Sequence, residues 1–244
     1  MKIIALIPAR AGSKGISSKN IKKLGKYPLI AYSIAAAKLS KYIEEIIVTT
    51  DSEHIAEISR KYGAEVPFLR PTEISQDYST DMEFFEHFIS FNKNNKLKLP
   101  DYIVHLRPTS PLRDIEVLDE GIEHMLSNNN ATGLRSVYPS SISPFKIFLM
   151  EGSFLKGFFP DDPRDEYYNL PRQAFPQTYI PNGYVDIVKP STLESGVLHG
   201  NKLLGYLVNK VPDIDVEEDF VYAAGCLNDA RFSNLINGME ILYG

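Results

Sequence analysis

The chain has 244 residues, 43% of them hydrophobic and 23% charged, with a formal net charge of −5. That usage is ordinary for a globular protein and sufficient for one sizeable core, so a single domain over 1–244 is expected. The acidic balance argues against general nucleic-acid binding and no apolar run approaches the roughly 18 residues of a membrane span; the one cysteine, Cys226, excludes an intrachain disulfide and, with no signal-peptide pattern at the start, fits a cytoplasmic protein.

Ile3 to Ile7 is short, continuous and apolar, the pattern of a strand buried on both faces. It runs into Pro8-Ala9-Arg10-Ala11-Gly12-Ser13-Lys14-Gly15 and on to Lys19-Asn20, a loop with two glycines and three cations. No acidic residue precedes Glu44, whereas residues 1–43 hold nine Lys or Arg. Glycine lets backbone N–H groups approach an anion closely, and Arg and Lys add charge-assisted hydrogen bonds, so the loop suits a polyphosphate. Its spacing is neither the Walker A loop nor the dinucleotide fingerprint. The plainer alternative is a surface loop whose lysines are only solvated.

Pro28 stands where a first helical residue would, and Leu29 to Tyr42 keeps helical periodicity. Glu45 to Thr50 reads as the second strand. Asp51-Ser52 opens a helix from Glu53 to Tyr62 that Gly63 stops, and Glu65 to Leu69 reads as a third strand. Strand–helix–strand alternation predicts a parallel sheet with ligands beyond the carboxyl ends of its strands. The loops after residues 7, 50 and 69 should therefore converge.

Thr80-Asp81-Met82-Glu83 is a capping box for a helix to about Phe91. The strand Tyr102 to Leu106 delivers Arg107-Pro108-Thr109-Ser110-Pro111-Leu112-Arg113, a turn that two prolines make stiff. Asp114 caps a helix to about Asn128, and Thr132 to Tyr138 is another strand. Residues 139–181 carry seven prolines, many aromatics and hairpin-like pieces at Phe145 to Met150 and Phe154 to Phe158. We expect a protruding arm that packs on a partner subunit; the alternative is a flap on its own domain.

Asn182-Gly183 predicts a tight turn into the strand Tyr184 to Val188, and Leu203 to Val211 is the last strand. It ends in Asp213-Ile214-Asp215. Aspartates at i and i+2 on extended backbone share a face, and hard carboxylate oxygens suit Mg²⁺, which is usually held by one or two carboxylates plus substrate phosphates. Glu217, Glu218 and Asp219 read instead as the acidic start of a helix from Phe220. No histidine has metal spacing, and no nucleophile elbow exists.

Taken in order, Ile7 to Gly15 with Lys19-Asn20, Pro108 to Arg113, Pro171-Arg172-Gln173, Pro181-Asn182-Gly183 and Asp213-Ile214-Asp215 resemble the acylneuraminate cytidylyltransferases, the CMP-sialic acid synthetases and relatives acting on legionaminic, pseudaminic and similar acids. The resemblance implies an α/β, Rossmann-like nucleotidyltransferase fold, a mostly parallel sheet flanked by helices, with a dimerisation arm and a homodimer. It implies the reaction of CTP with a 2-keto-sugar acid to give CMP-sugar and pyrophosphate, with Mg²⁺ as cofactor and neither nucleic acid nor membrane as partner. By that likeness Arg10, Gly12, Ser13, Lys14, Lys19 and Asn20 hold CTP, and Arg70, Ser79 and Thr80 border the nucleotide. Arg10 and Lys14 neutralise charge on the leaving group, and Asp213 and Asp215 hold the metal, Asp215 being essential to turnover.

On the acceptor side the resemblance points to Arg107, Thr109, Ser110, Asn182 and Asp186, and to Lys146, Arg172 and Gln173 on the arm. Three of these surroundings depart from the family's pattern: Arg107 stands where Gln is frequent, Ile180 where Arg is frequent, and Asp186 where Tyr is usual. Arg107 is accordingly a candidate for a bidentate grip on a sugar carboxylate. Two rival readings stay open: a glycosyltransferase using Asp213-x-Asp215 on a nucleotide sugar, and a catalytically silent nucleotide-binding dimer.

Overall fold

The structure is a computed structural model and describes residues 1–12 and 15–244. The strands are β1 Ile3–Pro8, β2 Lys23–Leu24, β3 Tyr27–Pro28, β4 Glu45–Thr49, β5 Tyr102–His105, β6 Gly133–Pro139, β7 Phe148–Glu151, β8 Phe154–Gly157, β9 Tyr179–Val188 and β10 Leu203–Leu207. The helices are α1 Leu29–Leu39, α2 Glu53–Lys61, α3 Asp81–Asn94, α4 Ile115–Leu126, α5 Pro190–Glu194, α6 Glu217–Gly225 and α7 Ser233–Tyr243.

Six strands form the central sheet in the order β10-β6-β9-β5-β1-β4. β4, β1 and β5 run parallel, as do β6 and β10, and β9 lies antiparallel between the two groups. The architecture is therefore α/β with a mostly parallel sheet. Both faces are buried, which explains the unbroken apolar run of β1. Ile3, Ala5 and Ile7 enter one core with α1, α4 and α7, whereas Ile4 and Leu6 enter a second core with Phe84, Phe85 and Phe88 of α3. Burial on both sides is what a sheet with crossover helices requires.

Several expected boundaries move, each for a local reason. Pro28 lies just ahead of α1, in β3, and α1 stops at Leu39 because Ser40 turns extended and donates to Asp119 at 2.6 Å. Glu65 to Leu69 is not a strand: only the bridges Ile47–Glu65 and Thr50–Leu69 form, and Pro67 between them has no N–H to give. Helix caps are as read at Ser52, which accepts from Ile55 N–H, and at Asp114, which accepts from Glu116 N–H at 2.9 Å. At α3 the Glu83 carboxylate reaches back to Thr80.

Asn182-Gly183 does not turn the chain. β9 runs through it as a bulge, with Gly183 at φ +62° and the register against β6 shifting between Arg135 and Val137. The Ser136 hydroxyl fills the interrupted ladder, donating to Asn182 Oδ1 at 2.7 Å and accepting from Val185 N–H at 2.8 Å. β10 ends at Leu207, so Asp213-Ile214-Asp215 lies beyond the sheet, not on a strand.

In 139–181 the hairpin β7–β8 leaves Phe148, Leu149, Met150, Phe154 and Leu155 exposed. Around its base Phe145 stacks on Phe159 and Phe175 at 4.5 and 4.8 Å between ring centroids. The arm therefore has a small aromatic core of its own and an outward apolar edge.

Candidate functional site

The loop after β1 is fixed from three sides. Ala9 N–H donates to Thr49 O at 2.9 Å, Ala11 N–H to Asp51 at 2.8 Å, and the Asn20 amide to Arg10 O at 3.0 Å. The ends of β1 and β4 thus hold one loop, as a parallel sheet predicts. Arg70 follows from the same end: its N–H donates to Thr50 O at 2.7 Å.

The far end of the chain comes to meet this loop. Lys19 Nζ donates to Ile214 O at 2.8 Å and lies 3.3 Å from Asp215 Oδ1, and Lys22 pairs with Glu217. The backbones nearly touch, since a Cβ on Gly15 would fall well inside contact distance of the Asp215 carbonyl oxygen. Only glycine permits that approach.

Between these segments lies a cleft of about 390 Å³, lined among others by Arg10, Gly15, Lys19, Asn20, Arg70, Ser79, Thr80, Asp81, Phe84, Arg107, Thr109 and Asp215. Arg10, Lys19, Asn20, Arg70, Ser79, Thr80, Arg107, Thr109 and Asp215, expected from sequence, therefore share one cavity. Ser13 and Lys14 lie outside the described residues. Gly12 is exposed and does not line the cleft.

The cleft is rich in cations that already face carboxylates. Arg10 lies 2.9 Å from Asp77, Lys19 3.3 Å from Asp215 and Arg107 2.7 Å from Asp81. Arg70 differs: it is buried, its Nε has no partner among the described residues, and it leans over the Phe84 ring at 5.8 Å. Burial lowers its pKa, partly offset by Asp51. Arg70 also lines the cleft, and a guanidinium there offers charge-assisted hydrogen bonds to an anion.

Below the cleft the stiff turn 107–113 is held by Arg113, which is 0% exposed. Arg113 donates to Tyr184 O at 2.9 Å, Ser33 Oγ at 3.0 Å and Arg107 O at 2.9 Å, with no carboxylate in contact among the described residues. Burial lowers its pKa to about 10, so it stays charged at neutral pH. Ser110, fully buried, donates to Asn182 O and to Asp213 Oδ1, both at 3.2 Å.

Other expected contacts are placed differently. Ser110, Asn182 and Asp186 are buried beneath the cleft and do not line it. Asp186 acts on Arg107 instead, accepting from Nη1 at 2.5 Å. The bidentate grip expected of Arg107 is thereby already taken by protein, one nitrogen on Asp81 and the other on Asp186. Arg172 and Gln173 line a second hollow on the arm with Ser140 and Thr178, lined by no residue of the cleft. Lys146 sits in a 3-10 turn of the arm.

Asp213 and Asp215 are both exposed while Ile214 between them is buried; Asp215 lines the cleft beside Lys19, whereas Asp213 is held by Ser110 and is not one of the lining residues. The hard oxygens of the two aspartates fit a divalent cation that also takes phosphate oxygens. No cluster of three or more His, Cys, Asp or Glu that could hold a metal occurs among the described residues. Sequence reasoning missed Asp51, Asp77, Asp81 and Arg135. Asp51 and Asp81 were visible only as helix-start residues, and Asp77 and Arg135 carried no signal.

Residues 4–156 match the family model described as Cytidylyltransferase. The chain is 34% identical over 220 residues to an N-acylneuraminate cytidylyltransferase of Escherichia coli, covering 89% of this chain and 49% of that protein. It is 40% identical over 148 residues to a CMP-N,N'-diacetyllegionaminic acid synthase of Legionella pneumophila, covering 59% of this chain and 61% of that one. The chain thus spans about half the length of the first of these relatives and under two thirds of the second. Among solved structures it resembles a CMP:2-keto-3-deoxy-manno-octonic acid synthetase complexed with CTP, with a TM-score of 0.67 at 12% identity, covering 93% of this chain and 98% of that one. At that identity the likeness is one of fold.

Proposed function

The chain belongs to the cytidylyltransferase family, and from that premise we propose that it transfers CMP from CTP to the anomeric hydroxyl of an acidic 2-keto sugar of the sialic, legionaminic or pseudaminic kind, releasing pyrophosphate. The observation that carries this reading is the meeting of the cationic loop after β1 with Asp215 across one cleft, at a glycine that tolerates no side chain. A triphosphate needs cations on one side and, for its bound metal, carboxylates on the other.

In this reading Arg10, Lys19 and Arg70 bind the phosphates, and Lys14 belongs with them. Arg10 and Lys14 balance the charge that grows on departing pyrophosphate. Asp213 and Asp215 are the groups that would hold Mg²⁺, which when bound supplies charge neutralisation to the phosphates. Ser110 and the buried Arg113 keep Asp213 and the 107–113 turn in place. Ser79 and Thr80, at the start of α3, border the nucleotide, and Thr109 faces the acceptor.

The exposed apolar edge of β7–β8 supports a homodimer in which Lys146, Arg172 and Gln173 reach the partner's cleft. The names of the relatives support the substrate class. The test is a pyrophosphate-release assay with CTP, Mg²⁺ and a panel of nonulosonic and octulosonic acids. Release above the CTP-only background with at least one acid is expected, and no release with any would refute the activity.

A further inference from the structure

Arg107 lies at the floor of the cleft with its charge already balanced. Nη2 donates to Asp81 Oδ2 at 2.7 Å and Nη1 to Asp186 Oδ2 at 2.5 Å. Behind it Arg135 Nε is 3.5 Å from the same Asp186 oxygen. Within this ion-paired group two guanidiniums and two carboxylates balance, and the further charge of the buried Arg113 sits on the Arg107 carbonyl, away from the paired nitrogens. Neighbouring His105 adds no charge: burial first, then Arg107, Arg113 and Arg135, push its pKa well below the usual range. Burial would lower the pKa of Arg107 as well, but Asp186 and Asp81 outweigh it and raise it.

Asp186 decides what this arrangement can bind. It is 1% exposed, and its Oδ1 has no hydrogen-bond partner among the described residues. A carboxylate that claimed Nη1 of Arg107 would strand the Asp186 charge in the interior, which is strongly unfavourable. One that claimed Nη2 would sit against Asp81. An arginine has five N–H donors and two are used here, so three remain for acceptors that carry no charge.

We propose that the Arg107–Asp81–Asp186 group is a charge-neutralised specificity element, which turns anionic groups away from the floor of the cleft and receives uncharged hydroxyl or amide groups of the acceptor. Asp186 is its positioning residue. This rests on the cleft's reading as a cytidylyltransferase site and deepens it, because the acceptor's carboxylate must then be bound by other groups.

The test measures binding, not turnover, by titration calorimetry on the full chain with pyruvate as a small 2-keto acid. Asp186→Asn keeps the shape and removes the charge that holds Nη1, and Asp81→Asn removes the charge that holds Nη2, so that a carboxylate can displace the weaker amide acceptor. Each is expected to bind pyruvate about tenfold tighter than the parent, the factor of one added charge-assisted hydrogen bond, and each gain should vanish when Arg107→Met is added. A folded Asp186→Asn that binds pyruvate no tighter overturns the proposal. So does a parent whose own pyruvate binding disappears in Arg107→Met, since Arg107 would then already accept carboxylates. If Asp186→Asn does not fold, Asp81→Asn at the open start of α3 decides alone: tighter binding supports the proposal and unchanged binding ends it. Absence of CMP transfer to any acid would remove the proposed activity without altering these binding results.

Discussion

Gly15→Ala is the sharpest probe of the cleft. The new methyl would point at the carbonyl of Asp215, a backbone atom that no rotamer change can move aside. Ordinary contact distances require the two segments to separate by roughly 1 Å. That opening stretches the Lys19 bonds to Ile214 O and Asp215, now 2.8 and 3.3 Å. A hydrogen bond contributes about 1 kcal/mol net and an exposed ion pair less, so stability should fall by only ~1–2 kcal/mol. For a chain of this size that lowers Tm by about 2–8 °C. Turnover should suffer far more, because a 1 Å misplacement of reacting groups can lower rates about 100-fold. The assay pairs pyrophosphate release with CTP binding by calorimetry and a thermal melt. If Gly15→Ala is parent-like in kcat/KM and in CTP affinity, the approach of the two segments has no part in the site and the reasoning fails.

Asp215→Asn, at a side chain 77% exposed, should keep the parent's melting behaviour while abolishing Mg²⁺-dependent release; residual parent-like turnover would remove the metal assignment. Arg113→Met orphans the carbonyls of Tyr184 and Arg107, and an unsatisfied buried group costs about 1–3 kcal/mol, so urea unfolding should show a loss of ~2–4 kcal/mol. Phe154→Asp, at a position 81% exposed on the hairpin, should convert a dimer to monomer in light scattering without lowering Tm; an unchanged dimer would exclude the arm's apolar edge. His105 is held neutral in the folded chain, whereas in the unfolded chain it takes a proton below about pH 6.5. Stability is therefore complete above that pH and falls as pH drops, by up to ~1.4 kcal/mol per unit, before the lowered carboxylates Asp162, Asp219 and Asp229 matter near 3.8. His105→Gln should reduce the slope of urea-derived stability between about pH 6.5 and 4.5, leaving the part due to His87 and His199, whose pKa values burial also lowers; an unchanged slope would assign it to those two.

What could be read from sequence follows the range of the interactions involved. β1, β4 and β5 were visible because burial on both faces writes a continuous apolar run, and the caps at Ser52 and Asp114 because they act within three residues. The strand expected at 65–69 failed because Pro67 removes the donor a ladder needs, information present in the sequence but outweighed by the apolar pattern. Asn182-Gly183 has the composition of a turn, and its left-handed glycine is real. What the sequence could not reveal is Ser136, on a different strand, taking over the interrupted ladder so that β9 continues through the bulge.

The same distinction governs the site. Arg10 and Lys19 could be found because they follow β1, whose carboxyl end topology places at the site, whereas Asp215 was reached through the Asp-x-Asp spacing and Arg70 only through the family resemblance. The partners that set their charge could not be found, because Asp77, Asp81 and Asp186 meet Arg10 and Arg107 only through tertiary packing. That matters most at Arg107. Its residue type alone suggests an anion anchor, and its neighbours reverse the inference: a guanidinium with both ends on carboxylates is, electrostatically, a neutral hydrogen-bonding surface. Arg70 makes the converse case. It is buried, its Nε lacks a partner among the described residues and it lines the same cleft, so among the described cations it has the strongest physical reason to take a phosphate oxygen.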